Sequence, residues 1–270
     1  MESPQLKTLL IGFGDLAQRL APLLPGEYTA IRRGPSADPR CQQLDATDLQ
    51  GMSELLGAGF DQIVITLTPN ERTDEAYRLA YIKPVQVLLA ALEVNNSKPR
   101  ILFVSSTAVF GQNNGETIDE ASATEPEQFN GKRLLEAEQL LRSSGFQVIC
   151  ARLSGIYGPM REKLSHQVQQ GLPIKRNLLA FSNRIHVDDA ARALAHLLGL
   201  AQPDSIYLVS DDKPVLLAEV VQGLAVFYRV ESPKRSDGAL FSGKRVNNRR
   251  LRATGFQLLY PSWREGYGIK

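Results

Sequence analysis

The run LLIGFGDLAQRLAPLL at residues 9–24 constrains this chain more than any other segment. An apolar stretch feeds directly into Gly12, Gly14 and a helix-compatible sequence. That order suits a backbone turn built around the diphosphate of a dinucleotide. Gly12 permits the tight turn, and Gly14, without a Cβ, lets the backbone approach phosphate. Ala17 stands where a third glycine is usual and is small enough for close helix–strand contact. The following helix start aims its unpaired N–H groups, from Phe13 through Asp15 and Leu16, at the anion. A bare GxGxxA also fits a plain strand–turn–helix, and gains meaning only inside a βαβ unit. The surrounding pattern supplies one: residues 7–11 predict a strand, 15–23 a helix and 27–31 a returning strand.

The end of that second strand bears on which dinucleotide is expected. About twenty residues past the first glycine, NAD-binding chains place Asp or Glu on the ribose 2′-hydroxyl. Arg32 and Arg33 stand there instead. A guanidinium suits a 2′-phosphate through charge-assisted, often bidentate bonds. NADP is therefore expected in preference to NAD. The competing reading is a solvated arginine pair at a strand end.

Composition excludes several alternatives. With a formal charge of +2 on 270 residues, and basic residues scattered apart from Arg249–Arg252, no nucleic-acid surface is expected. Cys41 and Cys150 lie far apart and read as buried thiols. His166, His186 and His196 have no ligand spacing, so no metal site is expected. The opening MESPQLK lacks a signal-peptide pattern, and no segment has the apolar length of a membrane span. A soluble cytoplasmic protein is the expectation.

Strand-like and helix-like segments alternate through the first two thirds of the chain. Residues 41–44, 61–67, 100–104 and 146–151 predict strands; 49–56, 71–92 and 131–143 predict helices, with Pro84 a possible kink. DQIVITL at 61–67 has the apolar content of a central parallel strand. Such alternation implies an α/β, doubly wound parallel sheet of Rossmann type. Ligands then sit beyond the carboxyl ends of the strands, where loops 12–15, 32–33, 66–70 and 105–111 would meet. In the last third, 190–199 and 217–227 predict helices, the first capped by Asp188 or Asp189, and 206–209 a strand. The expected division is a dinucleotide-binding domain at 1–152 and a smaller lobe at 153–270, with about 184–200 returning to the first domain.

By residues 105–158 a family resemblance can be named. FVSSTAVFG (103–111), ARLSGIYGP (151–159), RIHVDDAARAL (184–194) and KRVNNRRLRATGFQLLYPSWREGY (244–267) resemble, in order, motifs of the extended short-chain dehydrogenases/reductases, the NAD-dependent epimerase/dehydratase family. The shortened region between Arg33 and Cys41, with the tail, is similar to an atypical bacterial subgroup, the YeeZ-like proteins. The likeness implies a catalytic Ser/Thr at Ser106, with Ser105 or Thr107 as fallbacks. It implies a nicotinamide-side position for Tyr157 and an adenine-side loop at Asp45, Ala46 and Asp48. It also implies cofactor contacts at Thr66, Leu67, Thr68 and Ser105, and sugar nucleotides as a common substrate class. Relatives often pair through two helices, so a homodimer through 131–143 and 71–92 is a further expectation. For Asp48 and Thr47 the residues themselves suggest a helix cap; His186, Trp263 and Tyr267 read as structural.

One departure stands out. The family's chemistry uses Tyr and Lys four apart on one helix, the Lys lowering the phenol's pKa and holding ribose. Here Lys132 is in place but Gln128 precedes it, and an amide is neither acid nor base near neutral pH. None of the eight tyrosines precedes a lysine by four. Three readings stay open. The chain is an oxidoreductase or epimerase-like enzyme acting on a sugar-nucleotide-like or small carbonyl substrate, with a relocated acid for which Tyr157 is the candidate. Carboxyls at Asp119, Glu120 or Glu125 are further donors. Alternatively it is a non-catalytic NADP-binding sensor or interaction module, or it catalyses a step needing no Tyr.

Overall fold

The computed structural model describes residues 6–174, 177–232 and 240–269. Residues 1–5, part of the opening segment read above for a signal peptide, and Lys270 lie outside them. The chain divides into two compact units. Unit 1 holds Met1–Phe110, Thr124–Arg152 and Ala191–Tyr207; unit 2 holds Gly111–Ala123, Leu153–Ala190 and Leu208–Lys270. The segment that rejoins the first unit thus begins at Ala191 rather than near 184, and Gly111–Ala123 goes with the second unit.

A seven-stranded sheet organises the first unit. Its order is Ile206–Val209, Val148–Leu153, Arg100–Ser106, Gln62–Ile65, Lys7–Ile11, Glu27–Arg32, Cys41–Gln43. Pairing is parallel from Arg100–Ser106 across to Cys41–Gln43. The order reverses beside Lys7–Ile11, the switch point at which doubly wound sheets bind ligands. Gln62–Ile65 and Val148–Leu153 are buried along their whole length, as strands covered on both faces must be. The fold is the mixed α/β, Rossmann-type arrangement that the alternation implied.

Local chemistry sets several boundaries. Asp48 caps Leu49–Leu56 by accepting from the N–H groups of Gln50 and Gly51. The helix expected over 15–23 is α-helical only at Asp15–Leu20, because Pro22 tightens Ala21–Leu23 into a 3-10 turn. The long helix expected over 71–92 is three segments: Asp74–Tyr77, capped by Thr73, a π-helical stretch Arg78–Ile82, and Lys83–Val94. Pro84 follows directly on the π-helical stretch, whose last bond runs from Lys83 N–H to Arg78 O. The π segment absorbs the mismatch that a proline would otherwise impose one turn earlier. Cys150 is buried, but Cys41, on the edge strand, is partly exposed. No helix among the described residues is long and apolar enough to cross a membrane.

Among its described residues the second unit contains three two-stranded sheets. Gly155–Tyr157 pairs in parallel with Arg184–His186, Phe181–Ser182 antiparallel with Val215–Leu216, and Gly243–Val246 in parallel with Asn114–Ile118. Its core gathers Tyr157, Val168, Leu217, Val221, Leu224 and Trp263. The helix Leu217–Tyr228 comes close to Trp263 at Gly223, where any side chain would strike the indole. Asp189, in the first turn of the helix Val187–Gly199, accepts from the backbone N–H groups of Leu259 and Tyr260 and fastens the tail.

Candidate functional site

The glycine turn lies at the carboxyl end of Lys7–Ile11. Gly12 has φ +92°, and a Cβ there would press on Thr66 Oγ1 and Leu67 at 3.1–3.2 Å, so the position requires glycine. Thr66, expected to face the cofactor, holds the turn: its hydroxyl donates to the Gly12 carbonyl at 2.7 Å. The Gly12 N–H donates to Ile31 O at 3.0 Å, which fixes the turn to the second strand. Gly14 is the N-cap of the next helix, carries no side-chain cap, and has open space where its Cβ would stand. Phe13 and Leu16 are buried, Phe13 with its ring 6.1 Å from that of Tyr28. Asp15 pairs with Arg19 at 2.8 Å, on the helix's own surface. Uncapped helix N–H groups beside a bare backbone are the donor set a diphosphate takes. On this observation the residues present fit a dinucleotide.

Arg32 and Arg33 end the second strand in this unit. Among the described residues their guanidinium groups make no hydrogen bond or ion pair. Arg32 lines a cavity of about 570 Å³ together with Phe13, Gln18, Tyr28, Ser36, Asp38 and Arg40. Gln18, which sequence reasoning passed over, donates to the carbonyl of Phe13 at 3.2 Å and braces the turn from the helix side. Its signal was weak, a single amide one turn into an amphipathic helix.

The loop expected on the adenine side is self-contained. Asp45 accepts from the N–H and the hydroxyl of Thr47, at 2.9 and 2.8 Å, while Ala46 is buried. Leu67 is half-buried and Thr68 exposed after the strand Gln62–Ile65.

At the end of Arg100–Ser106, Ser106 caps a short 3-10 turn, Thr107–Val109, by accepting from Ala108 N–H at 3.2 Å. Its own hydroxyl proton remains available to donate. Ser105 is buried and donates to Glu138 at 2.5 Å. Glu138, fully buried, also receives Arg152 in a bidentate pair at 2.6–3.2 Å. This Ser105–Glu138–Arg152 cluster was missed in the sequence. Its trace was an acidic residue inside the apolar stripe of Leu134, Ala137 and Leu141, with an arginine in the strand Val148–Leu153.

Helix Phe129–Arg142 carries the positions where the family's Tyr and Lys would stand. Gln128 is its N-cap, exposed and without a side-chain capping bond. Lys132 is exposed on the first turn. Asp74 is held below its ordinary carboxyl range, chiefly by hydrogen bonds from Arg133 and in lesser part by the charge of Lys132. Gly131 lets this helix start touch the Ser106 turn: a Cβ there would run into the carbonyl oxygen of Ala108 and into Pro126.

Tyr157 belongs to the second unit, and its expected part in proton transfer is corrected by its surroundings. It is 1% exposed, and its hydroxyl donates to Ser262 O at 3.2 Å. Its ring meets those of His186 and Tyr267 at 5.3 and 4.9 Å. Burial pushes the phenol far above its ordinary pKa, with the Asp211 carboxylate adding to the rise. A phenol so placed is a packing residue. Glu120 is likewise committed, accepting from Leu208 N–H at 2.9 Å, and Asp119 accepts from Ser122. Among the described residues no group of three or more His, Cys, Asp or Glu could hold a metal ion.

Known proteins share this architecture. Protein YeeZ of Escherichia coli strain K12 is 27% identical over 224 residues, which is 80% of this chain and 76% of its own length. A Methylobacillus flagellatus structure, described as a candidate NAD-dependent epimerase/dehydratase, is 32% identical. It superposes with a TM-score of 0.84 over 98% of this chain and 97% of its own. The Thermus thermophilus UDP-glucose 4-epimerase in complex with NAD shares the fold at 17% identity, with a TM-score of 0.78 over 97% of this chain and 96% of its own. The model of the NAD dependent epimerase/dehydratase family matches residues 16–209, most of the chain, and the chain belongs to that family.

Proposed function

We propose that this protein binds NADP(H) at the glycine turn and exchanges hydride with a carbonyl or hydroxyl carbon of a sugar-nucleotide-like or small carbonyl substrate. The observation that carries the cofactor preference is the pair of uncommitted guanidinium groups at Arg32 and Arg33, where a 2′-hydroxyl binder would place a carboxylate. Gly12, Phe13, Gly14, Asp15 and Leu16 would hold the diphosphate through backbone N–H groups. Asp45, Ala46, Thr66, Leu67 and Thr68 would border the adenosine half, and Ser105 would steady the strand end beside it. The bound nicotinamide supplies or accepts the hydride. Ser106 donates a hydrogen bond to the substrate oxygen and so polarises it, while solvent supplies or takes up the proton that accompanies the hydride. Lys132 holds ribose and lends positive charge at the start of its helix. The substrate class is supported by solved structures of the same fold that carry UDP-glucose or UDP-glucuronic acid with NAD.

A second reading, a nucleotide-binding module without hydride chemistry, is favoured by one observation. Neither Gln128 nor the buried Tyr157 presents a transferable proton. A panel of sugar nucleotides and carbonyl compounds with hydride-labelled NADPH separates the two. Label appearing in a product supports the oxidoreductase, and no transfer to any member selects the binding module. A Gln128→Tyr variant that transfers hydride at least tenfold faster than the wild type would show that only the proton donor was lacking. A homodimer through the helical segments at 131–143 and 71–92, and a cytoplasmic location, complete the proposal. Sedimentation as a monomer would remove the dimer.

A further inference from the structure

The segment between Arg32 and the edge strand Cys41–Gln43 contains an anion where a phosphate site would want none. Asp38 lines the same cavity as Arg32. Left bare, its carboxylate would repel a 2′-phosphate drawn there by the arginines. It is not bare. Oδ1 of Asp38 accepts from the backbone N–H of Arg40 at 2.9 Å and from Arg40 Nε at 3.0 Å. Oδ2 accepts from Arg40 Nη2 at 2.9 Å and from the Tyr28 hydroxyl at 2.6 Å. Four donors occupy the four acceptor positions of one carboxylate. The Arg40 guanidinium in turn lies over the Tyr28 ring, 4.1 Å from its centroid. Arg40 is thus spent on Asp38, while the Arg32 guanidinium has no hydrogen-bond or ion-pair partner among the described residues.

We propose that Tyr28, Asp38 and Arg40 form a specificity-determining mask: Arg40 neutralises the Asp38 carboxylate and Tyr28 holds it in that pair by a hydrogen bond, leaving Arg32 as the net charge that a 2′-phosphorylated adenosine nucleotide meets. The inference rests on the NADP reading above but concerns residues which that reading does not use. Its chemistry is electrostatic and reversible, with no covalent step. It makes Arg40 important for a phosphate that Arg40 itself does not bind.

The test is a double-mutant cycle read by fluorescence titration of NADPH and NADH at fixed low salt. Arg40→Gln exposes the Asp38 charge and is expected to weaken NADPH at least tenfold, with NADH changed less than twofold. Adding Asp38→Asn removes the exposed charge and is expected to restore NADPH to within threefold of the wild type, although the ion pair is absent. A merely structural role gives a different pattern. If Arg40→Gln weakens both nucleotides alike, or if the double variant fails to recover while its melting transition stays cooperative, the mask is overturned. Tyr28→Phe keeps the ring under Arg40 and deletes one donor with the least change to packing; an NADPH affinity unchanged in that variant also counts against the mask. A wild-type protein that binds NADH as tightly as NADPH refutes the NADP reading itself, a result distinct from all of these.

Discussion

Ser106 shows how a residue's bonding state limits its chemistry. Its oxygen is engaged as acceptor by Ala108, yet its proton is unassigned, so it serves as a donor to substrate without leaving its cap. Ser106→Ala should cut hydride transfer by on the order of 10²-fold while leaving NADPH affinity within twofold, as for loss of one oxyanion donor. The lost cap should lower stability by about 1 kcal/mol in urea melts. A variant with wild-type turnover would remove Ser106 from the chemistry. Gly131 is the next residue that matters. Gly131→Ala pushes the helix start away from Ala108 and should destabilise by roughly 1–3 kcal/mol, read by the same melts; an unchanged midpoint would mean that the contact relaxes freely. The capping of Asp48 was legible in the sequence because caps are local. The burial of Tyr157 was not, because it depends on Gly266, where a side chain would strike the phenol's hydroxyl from 109 positions away in the chain.

Among the elements, Ser105–Glu138–Arg152 ties together a strand end, a helix and the strand Val148–Leu153. Both charged partners are almost fully buried, and Arg152 Nη1 has no hydrogen-bond partner among the described residues. A buried pair of this kind contributes little net stability against an apolar substitute, but breaking it leaves one charge stranded. Glu138→Gln should therefore cost about 3–5 kcal/mol. Glu138→Leu with Arg152→Met should recover a large part of that loss, and a double variant as unstable as the single would contradict the argument. Because Ser105 neighbours Ser106, the single variant should also lower turnover more than it lowers nucleotide affinity. Periodicity revealed the helix Phe129–Arg142 and the strands beside it, since their apolar spacing is a property of each segment alone. It did not reveal the π-helical stretch Arg78–Ile82, where a proline in the next turn and packing of Tyr81 on Phe103, at a ring distance of 6.1 Å, override the local pattern.

For the molecule as a whole, the parallel sheet was legible and the second unit was not. The sheet's strands are short, apolar and consecutive, whereas the second unit assembles Gly111–Ala123, Leu153–Ala190 and Leu208–Lys270 from distant stretches with two-stranded sheets too brief to announce themselves. That unit also carries a pH liability. Asp211 is buried, and burial pushes its carboxyl up to about 8. In the unfolded chain such a group ionises near about 4. Between these values the native state binds the proton that the unfolded state has lost. The stabilising contribution is therefore complete below about pH 4 and falls away as pH rises to about 8. Asp211→Asn should flatten the decline of melting temperature over that window, and a slope identical to the wild type's would rule Asp211 out as its source.

The account depends most on what the two arginines face. Titrating the wild-type protein and an Arg32→Ala/Arg33→Ala variant with NADPH and NADH tests this directly. The prediction is NADPH binding at least tenfold tighter than NADH, with that preference abolished in the variant while NADH affinity is kept. Equal affinities in the wild type, or a preference that survives loss of both arginines, would contradict it.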